Sequence, residues 1–229
     1  MKLKILITGG CGFIGKNISN YLINFKNYKI IVVDDLSSGN SNLLNNKIKI
    51  YKQKIDLIHL EKIIKKHRIN HIIHCAAHFA NQNSIENPYI DLKTNILGSL
   101  NVLNIAKKFK IKKLINLSSS CVYDNFRSNE NSIKPSNKTP YAISKFAAEQ
   151  YSSFFKNFYN MNIINLRLFN IYGPYDYYGK YRNVIPNFIN AALKNNKIEI
   201  HGDGLSTRDF TYVKDLCRAI KIILSKKNL

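Results

Sequence analysis

Three glycines near the start of the chain constrain its fold more than any other feature. Gly9, Gly12 and Gly15 lie in the run Thr8-Gly9-Gly10-Cys11-Gly12-Phe13-Ile14-Gly15, after an apolar stretch over residues 3–8 and before a helical one over 13–25. A buried strand that turns at once into a helix needs a residue without a side chain at the turn, and Gly9 supplies it. Gly12 opens the backbone to a pyrophosphate, and Gly15 lets the helix lie close on the strand. The unpaired N–H groups and dipole at the start of such a helix favour an anion. Nineteen residues past Gly15, a second apolar run ends in Asp34. A carboxylate there accepts both adenosine ribose hydroxyls and repels a 2′-phosphate. The pattern predicts a dinucleotide site for NAD rather than NADP.

Further apolar or β-branched runs cover residues 29–34, 71–76, 113–117 and 162–169, of the kind that suits parallel strands buried on both faces. Helical stretches over 59–67 and 92–109, and a helix from Tyr141 with Thr139 as N-cap and Pro140 in its first turn, fall between them. This alternation predicts an α/β fold, a Rossmann-type doubly wound parallel sheet built from right-handed βαβ units. After Gly173-Pro174 come a Tyr/Gly-rich loop over 175–181, a helix over 186–195, a strand over 197–201, the loop Gly202-Asp203-Gly204 and a last helix from Val213. The expected division is a NAD-binding Rossmann domain over 1–170 and a small, partial substrate-binding lobe over 171–229. Residues 125–138 form a polar loop of a length that marks a lid or binding loop.

Charge invites a nucleic-acid reading, because the 229 residues carry a net +21. Yet the basic residues are spread along the chain, and only Arg68, Arg127, Arg167, Arg182, Arg208 and Arg218 are arginine. A reader of phosphates or base edges clusters arginine on one element, so nucleic acid is not the expected partner. Cys11, Cys75, Cys121 and Cys217 have neither metal-ligand nor disulfide-framework spacing and are read as reduced thiols. No metal site is expected. The short apolar run before Gly9 does not make a signal peptide, and no window has the length of a membrane span, so the expected location is the cytoplasm.

Tyr141 and Lys145, in Tyr141-Ala142-Ile143-Ser144-Lys145, stand at i and i+4 on one helix face. Free tyrosine ionises near ~10 and is a poor base at neutral pH, but a neighbouring ammonium favours the phenolate. Ser118-Ser119-Ser120 ends a strand at the carboxyl edge of the sheet, where ligands bind in this architecture. Serine, tyrosine and lysine are therefore expected to meet beside the nicotinamide.

With TGGCGFIG (8–15), VVDDLSSGN (32–40), HCAAH (74–78), NILGSLNVL (95–103), SSSCVYD (118–124), PYAISK (140–145), LRLFNIYGP (166–174) and HGDGLSTRDFTYVKDL (201–216), the chain resembles the extended short-chain dehydrogenase/reductase family. The likeness is to its NAD-dependent epimerase/dehydratase branch, and most of all to enzymes that invert C4 of UDP-glucose and UDP-galactose. It implies catalysis by Ser119, Tyr141 and Lys145. It implies that Gly9, Gly12 and Gly15 belong to the NAD site, and that Phe13, Ile14, Asp34, Asp35, Leu36, Ser37, Ser38, Gly39, Asp56 and Leu57 contact the adenosine half of NAD. Ala76, Ala77, Asn95, Phe169 and, on the cofactor side as well as the substrate side, Tyr141 would line the path to the nicotinamide, with Lys145 on its ribose. Asn170, Asn183 and Arg208 match substrate-side positions, joined there by Ser119 and Tyr141. Dehydratases of this branch carry acid/base carboxylates just after the catalytic Ser/Thr, where Ser120 and Cys121 stand here, so dehydration is disfavoured. The family pattern runs on past residue 229, so part of the substrate lobe is expected to be missing.

His78 and His74 are read as a hydrogen-bonded pocket histidine and a core histidine. The aromatic stripe of Tyr151, Phe154, Phe155 and Phe158 is expected partly in the core and partly against a second subunit, giving a homodimer. Alternatives of function are another nucleotide-sugar epimerase or reductase of the same family, or a catalytically silent NAD-binding protein.

Overall fold

Apolar runs flanked by turn residues can bury both faces only inside a helix-covered sheet, and the chain folds that way. The computed structural model describes residues 2–123, 135–200 and 202–226. In chain order the elements are β1 (Leu3–Thr8), α1 (Phe13–Leu22), β2 (Tyr28–Asp34), β3 (Lys49–Lys52), α2 (Leu57–His67), β4 (His71–His74), α3 (Asn81–Glu86) and α4 (Pro88–Asp91). There follow α5 (Gly98–Lys108), β5 (Lys113–Ser119), α6 (Pro140–Phe158), β6 (Ile163–Leu168), β7 (Ile171–Tyr172), α7 (Val184–Leu193), β8 (Thr211–Tyr212) and α8 (Val213–Ser225).

The main sheet is parallel throughout, in the order β3-β2-β1-β4-β5-β6. The chain leaves β1 toward β2 and β3, then returns on the other side of β1 as β4. The crevice beyond the carboxyl ends of β1 and β4 is thus the topological switch point, where such sheets bind ligands. One core layer joins Ile5, Ile7, Val32 and Ile73 to Ile18 and Leu22 of α1. The opposite layer joins Leu6, Ile31, Val33 and Ile72 to residues of α2, α5 and α6. Val213, Leu216, Cys217, Ile220 and Leu224 of α8 belong to the first layer, so the nucleotide-side core does not stop at residue 170.

Several boundaries differ from expectation for local reasons. The edge strand β3 was not foreseen: it is four residues long, and exposed Lys49 and Lys52 flank Ile50 and Tyr51. A short charged strand of this kind blunts a sheet edge but leaves little periodicity to read. The strand expected over 197–201 does not form. Lys197 to Ile200 are irregular and exposed, with no neighbouring strand in the described residues to supply a ladder, and His201 lies outside the described residues. The helix expected over 92–109 begins as a π-helical turn, Leu92–Leu97, before α5. β4 ends at His74, two residues early, because the next backbone crosses the glycine turn. Asp124 and the polar loop up to residue 134 lie outside the described residues.

Candidate active site

The glycine turn has the geometry its spacing predicts. Gly9 has φ +65°, and a Cβ on it would lie 2.6 Å from backbone atoms of Ala76. A Cβ on Gly15 would meet the Gly9 carbonyl oxygen at 2.2 Å, whereas one on Gly12 finds only that oxygen, at 3.4 Å. The turn is therefore packed from behind and open in front. No side chain caps the N-terminus of α1, which leaves its first N–H groups for an anion. Gly15→Ala presses a methyl into backbone that cannot rotate away, at a cost of roughly 1–3 kcal/mol. We expect it to lower Tm and to weaken NAD binding at least tenfold, as read by calorimetric titration.

Asp34 ends β2 with its carboxylate facing the turn. Oδ2 accepts the Cys11 N–H at 2.8 Å and Oδ1 accepts the Leu36 N–H at 2.8 Å. The carboxylate thus braces the loop, and each oxygen keeps a lone pair for a ribose hydroxyl. Asp35 accepts the Ser37 N–H, while Ser37 and Ser38 are exposed beside it. Gly39 lies so close to Cys11 that a Cβ would sit 2.8 Å from its carbonyl carbon. Asp56 caps α2: it accepts the His59 N–H at 2.9 Å and pairs with His59 Nδ1 at 2.6 Å. Leu57, next to it, is exposed. Phe13 and Ile14 are half-buried at the mouth of the turn, as are Ala76 and Ala77 where the chain leaves β4.

Ser119, Tyr141 and Lys145 come together. Ser119 is the last residue of β5; its hydroxyl accepts the Cys121 N–H at 3.2 Å and lies close enough to the Tyr141 phenol to favour its ionised form. Thr139 caps α6 by accepting the Ala142 N–H at 3.2 Å, with Pro140 at the helix start, as expected. Ser84 of α3 accepts the Tyr141 N–H at 3.0 Å, and the Phe79 ring meets the Tyr141 ring edge-on at 5.8 Å. Tyr141 is held on every side, with its phenol beside the strand-tip serine.

The electrostatics differ from the sequence-based expectation. Burial, with the fields of Cys121 and Asp91, pushes the Tyr141 phenol above its usual value, and only the Ser119 hydrogen bond pulls it down. The Lys145 ammonium donates to the Leu117 carbonyl at 2.9 Å and lies 5.9 Å from the centre of the Tyr141 ring. Burial pushes Lys145 down to about 8, so it stays mostly charged at neutral pH but loses its charge just above it. In the absence of ligand, desolvation dominates the ionisation of the phenol.

Behind these groups lies a buried bracket that sequence reading did not find. Asn95 accepts the His78 N–H at 2.8 Å and donates to Asp91 Oδ2 at 2.8 Å, to the His78 carbonyl at 3.1 Å and to Ser144 Oγ at 3.1 Å. Ser144 in turn donates to the Tyr141 carbonyl at 3.1 Å. Asn95 therefore acts here by shaping the 78 segment and anchoring α6. Asp91 is fully buried, and burial raises its carboxyl above the ordinary range. Its place four residues before Asn95 on one helical face is the only sequence signal that pointed to it. His78 Nδ1 stands 3.9 Å from Asp91 Oδ2. His74 is a core histidine, as expected: it bonds Thr8 Oγ1 at 2.6 Å and Ser99 Oγ at 3.1 Å, and burial pushes it down to about 3.

The substrate-side positions are less enclosed. Phe169 packs near Tyr123, and Asn170 donates to the Asp209 carbonyl at 2.9 Å. Asn183 is the N-cap residue of α7 without a side-chain cap bond, and Arg208 is exposed, donating to the Thr207 carbonyl. The strand pair β7–β8 brings the segment after Asn170 beside the segment after Asp209.

Comparison with known proteins agrees with this geometry. The pattern of the NAD dependent epimerase/dehydratase family matches residues 5–229. The chain is 36% identical over 227 residues to a putative UDP-glucose 4-epimerase of Methanocaldococcus jannaschii, covering 98% of this chain and 74% of that protein. It is 41% identical over 249 residues to a dTDP-D-glucose 4,6-dehydratase of Dictyostelium discoideum, covering 97% of this chain and 56% of that one. The crystal structure of the Thermotoga maritima UDP-glucose 4-epimerase with UDP-glucose superimposes with a TM-score of 0.91 at 36% identity, over 98% of this chain and 74% of that chain.

Proposed function

Since the chain belongs to the NAD dependent epimerase/dehydratase family, we propose that it is an NAD-dependent nucleotide-sugar epimerase that inverts a sugar hydroxyl through a transient keto-sugar, with UDP-glucose and UDP-galactose as the leading substrate pair. The observation that carries this reading is the meeting of Ser119 and Tyr141 beside Lys145, at the carboxyl edge of the sheet next to the glycine turn. The higher identity to a dehydratase does not favour dehydration. Expelling water from the sugar needs an acid and a base near the oxidised carbon, and Ser120 and Cys121 hold no carboxylate there.

In this mechanism Gly12 would present backbone to the cofactor's pyrophosphate, Phe13 and Ile14 would contact its adenosine half, Asp34 would accept the adenosine ribose hydroxyls, and Lys145 would hold the second ribose. When bound, the oxidised dinucleotide would supply the hydride acceptor. Tyr141 takes the proton of the sugar hydroxyl at Oη, and the Ser119 hydroxyl orients and relays it. The same pair returns that proton after the sugar has turned its other face. Asn170, Asn183 and Arg208 are assigned to the nucleotide-sugar, with the Arg208 guanidinium on the diphosphate. We assign nucleotide binding to the unit built on the main sheet and substrate binding to the segment from residue 171, with α8 packed back onto the former. The reading is tested by incubating the protein with NAD and either UDP-glucose or UDP-galactose. Appearance of the other C4 epimer supports it, and NAD binding without turnover of any nucleotide-sugar would leave only the silent alternative.

A homodimer belongs to the same reading. Phe158, 71% exposed, stacks on half-exposed Phe154 along α6, and Tyr151 extends the stripe, while Phe155 is buried in the core. Two α6 helices packed by this face would remove it from water. Sedimentation equilibrium is expected to give twice the chain mass, and Phe154→Glu with Phe158→Lys to give the chain mass alone. The four free thiols fit a reducing compartment, and we take the cytoplasm as the location.

A further inference from the structure

Lys16 follows the third glycine of the turn and stands in the first turns of α1, a ten-residue helix. Its side chain is covered, at 1% exposure, yet among the described residues no carboxylate, carbonyl or hydroxyl accepts from its Nζ. What faces the ammonium is the ring of Tyr175, 5.4 Å away. That ring belongs to a segment pinned against α1, because Asn17 Nδ2 donates to the Pro174 carbonyl at 2.8 Å. Side chains on a helix lean toward its N-terminus, so the Lys16 stem runs back toward Gly12. In accord with that direction, the carboxylate whose field favours its charge is Asp34, which accepts the Cys11 N–H beneath the cofactor groove.

An ammonium on so covered a side chain, with no acceptor bonded to it, is unfavourable, and a methionine or leucine of similar length would fill the space without that burden. The cation makes sense when an anion arrives. The uncapped N-terminus of α1 is where one is expected, and the helix and an adjacent point charge would then act on it together.

We infer that Lys16 is a cofactor-binding residue whose ammonium is the counter-charge for the dinucleotide's pyrophosphate. This rests on the cofactor reading above but not on epimerase activity, so its test is one of binding. The cofactor-stripped 229-residue protein and its Lys16→Met and Lys16→Arg variants are titrated calorimetrically with NAD, ADP-ribose and adenosine, and their unliganded Tm values are recorded. Loss of one charge-assisted contact is expected to weaken NAD and ADP-ribose binding by about tenfold or more in Lys16→Met. Adenosine binding stays unchanged, Lys16→Arg keeps most of the affinity, and the unliganded Tm of Lys16→Met is not lower than wild type. A purely structural lysine gives the opposite pattern, with a lower unliganded Tm and equal losses for adenosine and ADP-ribose. That pattern would overturn the inference, as would ADP-ribose affinity untouched in Lys16→Met. Wild-type protein that binds neither NAD nor ADP-ribose would remove the cofactor reading and this inference with it, whereas binding without epimerisation removes only the proposed activity.

Discussion

Tyr141→Phe is expected to lower the epimerisation rate by about 10²–10⁴-fold, the range for loss of a positioned general acid–base group. NAD affinity should change little, because Tyr141 is one of many assigned cofactor contacts and those on the glycine turn, Asp34 and Lys145 are untouched. The substitution removes one oxygen and leaves the ring in its packing against Phe79. The protein should therefore stay folded, with Tm near wild type. The pH profile sharpens the test. Burial holds the phenol above its ordinary value, so Tyr141 is protonated across the neutral range in the unliganded protein. Wild-type turnover should rise with pH on its acid limb as the phenolate forms in the complex, and the residual activity of Tyr141→Phe should lack that limb. A variant that turns over at the wild-type rate, or keeps the same limb, would assign the proton transfer to another group.

The largest stability effect is expected at Arg167. Its Nε and Nη2 grip the two Glu149 oxygens at 3.0 and 2.6 Å, tying β6 to the middle of α6, the helix that carries Tyr141 and Lys145. Glu149 is 4% exposed, and the Arg167 guanidinium also lies 4.7 Å over the Tyr123 ring. Arg167→Leu strands a carboxylate in the interior, which costs about 3–5 kcal/mol. At about 2–4 °C per kcal/mol for a chain of this length, Tm should fall by roughly 6–20 °C in a thermal melt. The double variant Arg167→Leu with Glu149→Leu should recover much of the loss, because replacing both partners leaves no unpaired charge. If the double variant melts as low as the single, lost packing rather than the stranded charge is responsible, and the ion-pair argument fails.

The doubly wound sheet was legible because its signals are local: apolar runs bounded by glycine and a helix punctuated by Thr139 and Pro140 each need only a few neighbours. β3, β7 and β8 were not, since four-residue and two-residue strands exist by virtue of their partners and carry no period of their own. The failed strand at 197–201 is the converse case, a β-like run without a neighbour to bond. At the site, glycine spacing and the Tyr–Lys interval named residues that do come together. The Asp91–Asn95–Ser144 bracket was invisible because it joins different helices through single side chains.

From the order of its residues alone this chain committed itself to a parallel βαβ sheet with a glycine turn at its head, since backbone sterics and apolar periodicity act over a few positions. Tertiary packing alone decided the charge state of the groups in the cleft. Desolvation depends on what surrounds a side chain in space, and it reversed the simple expectation for Tyr141, lowered Lys145 and left Lys16 a covered cation with no acceptor bonded to its ammonium.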